Sequence, residues 1–182
     1  MKDENILMFI AIWDEEFGPK IVDINPEVEE LDFNTISSHI FRTYQFFYKD
    51  EAESHSTRFL FQIPIVNITK KASICLDWVR YEEEGAKKQP FIVVILLPDY
   101  FPDESMKVFE NIIQNIGMEY AEKKTPILKK YFHQVNEKFI IEQKVLWFEQ
   151  QTWPSKQDAR YQENWQRNFC PRKARYPRPK KQ

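Results

Sequence analysis

Glycine is nearly missing from this chain, with three residues among 182: Gly18, Gly85 and Gly117. A loop that cradles phosphate needs several glycines close together, so the chain carries no nucleotide-binding fingerprint and is not itself a GTPase. Cysteine is just as scarce. Cys75 and Cys170 are the two present and no CxxC occurs, which argues against a zinc site or a disulfide framework. Reduced cytosolic thiols are the expectation. No apolar run reaches the roughly 18 residues of a membrane span. The opening MKDENILMFIAIW has acids ahead of a short apolar run and lacks the pattern of a signal peptide. Lys2 stands where myristoylation requires glycine, and no prenylation box closes the sequence. A cytoplasmic protein is therefore expected, in which the Asn67-Ile68-Thr69 sequon stays unmodified.

What is there instead is apolar and aromatic. A hydrophobic content of 42%, with 15% aromatics, is enough to build one sizeable core. The formal net charge of −2 hides a split: residues 154–182 carry nine Lys or Arg against two acids, which leaves the first 153 residues at −9. An acidic body with a basic tail is an asymmetry that often meets anionic partners.

Along the chain, ILMFIAIW (6–13) is apolar without alternation and reads as a strand buried on both faces. Lys20 to Ile24 reads as its hairpin partner. Gly18 supplies the positive φ of the connection, and Pro19 fixes its exit. From Phe33 to Tyr48 the residues Ile36, Ile40, Tyr44 and Phe47 recur at helical spacing, with Phe33 on their face and Asp32 or Asn34 as the cap. Phe41, Phe46 and Tyr48 lie off that stripe. RFLFQIPIV (58–66) and ASICLDWVR (72–80) alternate as strands about an NITKK turn. Pro64 donates no ladder bond, which places the first of them at a sheet edge or at a bulge. FIVVILL (91–97) is a second fully apolar strand, hence central. Pro102-Asp103 opens a helix with Met106, Phe109, Ile113, Ile116 and Tyr120 on one face. Thr125-Pro126 opens another, Thr as cap and Pro in the first turn, with Leu128, Phe132, Val135, Phe139 and Leu146. No internal repeat is visible. The order β-β-α-β-β-β-α-α gives an α/β (α+β) fold, one helix on one sheet face and two on the other.

That order, fronted by the WDEEFGPKIVD hairpin, resembles the longin domain and the related roadblock domain, in which a hairpin with a Phe/Leu-Gly-Pro turn often opens the sheet; here Phe17, Gly18 and Pro19 occupy it. The resemblance covers about residues 5–150 and implies a five-stranded antiparallel sheet of order 2-1-5-4-3. Residues 1–150 are then a longin/profilin-like domain, and 151–182 a basic aromatic tail. The resemblance further implies a non-catalytic adaptor or regulatory platform. Its partners would be small GTPases or another longin/roadblock-like subunit, in a homo- or heterodimer linked to membrane trafficking. No SNARE-type heptad segment follows, which disfavours the fusion-protein branch. Stand-alone prokaryotic, notably archaeal, members fit the size better.

No cofactor or metal is expected, and no catalytic set can be assembled. His39, His55 and His133 are scattered. Ser37-Ser38-His39 is no triad, because helical neighbours point in different directions. Asp14, Glu15 and Glu16, like Glu82, Glu83 and Glu84, read as solvated turns, with collection of a hard cation by the first group as the other option. The off-stripe aromatics Phe41, Phe46 and Tyr48 either contact loops or join Arg42 and Arg58 in a partner interface on the first helix and strand three. In the tail, Tyr161, Trp165 and Phe169 fall at i, i+4 and i+8 of a helix expected over about 155–168. Proline-rich, cationic residues follow, with Arg172, Lys173, Arg175 and Arg178. Three occupants stay open for this stripe: the acidic body, an anionic membrane surface, or nucleic acid. A nucleic-acid-associated protein whose domain only dimerises is the alternative function.

Overall fold

The computed structural model describes residues 6–28, 31–54, 58–80 and 88–152, with side chains left out for 47–54 and 149–152. The chain divides into two units, Met1–Gln143 and Lys144–Gln182. The first holds a sheet whose strands are β1 (Leu7–Asp14), β2 (Gly18–Asn25), β3 (Phe59–Ile65), β4 (Lys70–Arg80) and β5 (Lys88–Pro98). All pairings are antiparallel and the order is β2-β1-β5-β4-β3.

The two unbroken apolar runs lie side by side, from Leu7↔Leu96 to Ile12↔Phe91. Every residue of 7–12 and of 91–97 is buried, as strands covered on both faces require. Pro64 sits on the edge strand β3, where a missing ladder donor is tolerated. One face of the sheet offers Leu7, Phe9, Ile74, Leu76 and Val94 to Phe33, Ile36, Ile40, Phe41 and Tyr44 of α1 (Phe33–Ser54). Asp32 caps that helix: its Oδ1 accepts from the Thr35 N–H at 3.0 Å, and its Oδ2 from the Thr35 hydroxyl at 2.6 Å.

The opposite face receives α3 (Glu110–Lys123) and the beginning of α4 (Leu128–Thr152). The rings of Phe91 and Tyr120 pack at 5.0 Å, and those of Phe101 and Phe139 stack at 5.5 Å. Three expectations change in detail. α1 continues past Tyr48 to Ser54. The helix expected from Asp103 is broken into α2 (Asp103–Met106), a 3-10 turn at Lys107–Phe109, and α3. A 3-10 turn aligns residues three apart, and both Met106 and Phe109 are fully buried here.

The third correction concerns the start of α4. Thr125 and Pro126 do not cap it; the helix begins at Leu128. Asp23 of β2 does the capping, its Oδ2 accepting from the N–H of Ile127 at 2.6 Å and of Leu128 at 2.8 Å. A bulge makes this reachable. Ile10 pairs with Asp23, but Ala11 pairs with Ile21, so Val22 is an extra residue. It lets Ile21 and Ile24 both pack toward α1 while Asp23 turns to the other face.

Candidate interaction surface

The hairpin between β1 and β2 is built as its residues demand. Gly18 has φ +82°, the left-handed region. Asp14 Oδ1 accepts from the N–H groups of Glu16 at 2.8 Å and Phe17 at 3.0 Å, an Asx turn that fixes the tip. Phe17 stands 81% exposed there, and Pro19 pairs with Trp13 in the ladder.

On α1 the expected interface residues separate. Phe41 is buried, its ring 5.2 Å from that of Trp13. The helix turns its Ser37 and Phe41 side, as well as Ile36 and Ile40, onto the sheet. Arg42 and Phe46 face outward, Phe46 with 83% of its surface exposed. The side chain of Tyr48 lies outside the described residues. Arg58 makes an internal ion pair: Nη2 lies 2.6 Å and Nε 2.7 Å from Asp77 Oδ2 on the neighbouring strand. It therefore pins the start of β3 to β4. The edge strand also presents Gln62 and Pro64 to solvent, and the turn after it presents Val66.

Ser37 is buried while His39 is exposed, so the Ser-Ser-His run does not converge. His133 lies 3.5 Å from Glu137, one helical turn on. Among the described residues, no group of three or more His, Cys, Asp or Glu is placed to hold a metal ion. Glu119 of α3 gathers three donors: Lys123 at 2.7 Å, Lys130 at 2.7 Å and the Tyr131 hydroxyl at 2.6 Å. Those hydrogen bonds hold its carboxylate down to about 2, while burial and the bond to Glu119 push the Tyr131 phenol up to about 12. Cys75 is buried beneath α3, and burial pushes its thiol up to about 12, the reverse of a nucleophilic cysteine. A polar-lined cavity of about 390 Å³ opens beside the hairpin, bordered by Asp14, Lys20, Gln89, Tyr120 and Lys124.

His55, Glu82, Glu83 and Glu84 lie outside the described residues, as do Tyr161, Trp165, Phe169, Arg172, Lys173, Arg175 and Arg178. Among the described residues, no helix is long and apolar enough to cross a membrane. Sequence reasoning missed Asp23 and Glu119, the two carboxylates that tie α3 and α4 in place. Asp23 carries no local signal, since its partners are 104 and 105 positions away; for Glu119 the sequence offers only the i,i+4 pair with Lys123 and not the bonds to Lys130 and Tyr131 of the next helix.

No known protein family has a model that matches this sequence, and no curated protein matches it significantly.

Proposed function

We propose that the chain is a non-catalytic adaptor or regulatory platform of the longin/roadblock type, which binds a small GTPase through the outward face of α1 and the adjoining edge strand β3. The observation that carries this reading is the sheet order 2-1-5-4-3 with, among the described residues, a single helix on one face, the arrangement that superfamily implies. That helix exposes an arginine and a phenylalanine one turn apart, Arg42 and Phe46. Arginine and large aromatics concentrate binding energy at interfaces. The same surface serves a second longin/roadblock-like subunit in a homo- or heterodimer. The place of action is the cytoplasm, at the periphery of trafficking membranes.

The test is calorimetric titration of the full chain with purified small GTPases, each loaded with GDP or with a non-hydrolysable GTP analogue. Binding to a GTPase, weakened on the order of tenfold or more by Arg42→Ala with Phe46→Ala, supports the reading. The same pair of variants is checked for mass in solution. A double variant that changes neither GTPase affinity nor mass removes α1 as the interface, and a panel without any binding removes the GTPase reading itself.

A further inference from the structure

Beside the hairpin the sheet extends past its helical cover. α3 ends at Lys123, Lys124 follows in the left-handed region with φ +54°, and α4 begins at Leu128, held to β2 by Asp23. Tyr120, its ring against that of Phe91, is the last buried residue of α3. Past it lies the cavity of about 390 Å³, a volume in the range of small-molecule sites. Ile12 pairs with Lys20 on one side and with Phe91 on the other. Side chains two apart on a strand share a face, so Asp14, Lys20 and Gln89 join Ile12 in the lining. That lining is of two kinds. Ile12, Val22 and Pro126 offer apolar surface, while Lys20, Gln89 and Thr125 offer an ammonium, an amide and a hydroxyl. Lys20 and Thr125 are exposed and Gln89 is half-buried. Two ammonium groups, of Lys20 and Lys124, stand against the one carboxylate of Asp14, whose Oδ1 accepts from the Glu16 and Phe17 N–H groups. We propose that this cavity binds a small carboxylate with a short aliphatic body, the carboxylate taken by Lys20, Gln89 and Thr125 and the body lying on Ile12, Val22 and Pro126.

Both kinds of lining bear on the ligand. The excess of positive charge favours an anion over an amine, and a hydrogen bond from an ammonium to a carboxylate is stronger than one between neutral groups. Inorganic phosphate would meet the charge and leave the apolar wall in water. An alcohol would cover the wall without using the charge. Lys124 contributes through its charge, since its Nζ donates to the Arg80 carbonyl at 2.6 Å. The cavity lies on the α3 face of the sheet and α1 packs on the other, so binding here is separate from the GTPase contact proposed on α1.

The test is titration of the full chain with hexanoate, acetate, hexanol and hexylamine, followed by amide nuclear magnetic resonance. Hexanoate should shift the amides of Ile12, Val22, Gln89 and Thr125 along a saturating curve. Acetate lacks most of the apolar body and should bind on the order of tenfold more weakly. Hexanol and hexylamine should also bind more weakly than hexanoate. Lys20→Gln should weaken hexanoate about two- to fivefold and narrow its advantage over hexanol. Lys20 is exposed, so this variant should keep the native melting curve; if it does not, the ranking of the four probes on the native chain decides alone. Hexanoate shifts that stay linear or fall elsewhere overturn the proposal. So does hexanol or hexylamine binding as tightly as hexanoate, or a folded Lys20→Gln variant with unchanged hexanoate affinity.

Discussion

Gly117 lies where α3 crosses β4, and a methyl group added to it would come within 3.2 Å of the Cys75 sulfur. Two effects of known size oppose each other at that residue. Alanine in a helix interior is favoured over glycine by about 0.5–1 kcal/mol, while forcing extra volume into a filled contact costs about 1–3 kcal/mol. Cys75 is fully buried and has little room to retreat, so Gly117→Ala alone is expected to destabilise. With Cys75→Ala the sulfur is gone, and Gly117→Ala should then be more favourable by about 1 kcal/mol or more. Urea denaturation of the two single variants and the double variant measures this coupling. Effects that add within about 0.3–0.5 kcal/mol would mean that the contact exerts no force. The glycine is visible in the sequence, but its reason is not, because the neighbour that demands it is on a strand far earlier in the chain.

At the scale of elements, α4 owes its start to a side chain of β2. The first backbone N–H groups of a helix have no internal partner, and here those of Ile127 and Leu128 are answered by Asp23. Asp23→Ala leaves both without an acceptor and should cost about 1–2 kcal/mol, whereas Asp23→Asn keeps an oxygen and should cost much less. Thermal melts of the two variants decide; equal losses would assign the effect to charge instead of capping. The tie between α3 and α4 is Glu119, held to about 2 by hydrogen bonds from Lys123, Lys130 and Tyr131. A lowered carboxylate pKa means that the unfolded chain binds the proton more tightly than the folded one. The contribution of Glu119 is therefore complete above the ordinary value of 4.5 and is lost as pH falls toward about 2. Glu119→Gln should be less stable than the native chain at neutral pH, and the difference should close over that interval; a gap independent of pH would show that its charge is not what matters. Asp32, the local cap of α1, could be read from the sequence because its partner Thr35 is three residues away. The distant caps and the 3-10 break could not, since a bulge at Val22 and the packing of Met106 and Phe109 set them.

Across the whole molecule, what could be read in advance was the layering. Strands without alternation must be covered twice, so residues 6–13 and 91–97 belonged in the middle, and the proline of 58–66 belonged at a rim; the observed order puts them there. The surface was less legible, because helical periodicity separates Phe41 from the Ile36–Ile40 stripe although Trp13 receives it. The layering has a dynamic consequence. β5 is bonded to a strand on each side and buried on both faces, while among the described residues β2 and β3 each have one open edge and only partial burial. Opening an edge strand exposes less apolar surface than opening the middle, so local openings should release edge amides first. Native-state hydrogen exchange should find the amides of Val93, Val94 and Ile95 among the slowest, together with Phe9 and Ile10. Amides of Ile21 and Ile63 that do donate to a ladder should exchange through openings of lower free energy. If β2 or β3 exchanged as slowly as β5, its open edge would have to be covered in solution, and a mass measurement on the same sample would then show whether a second copy of the chain covers it.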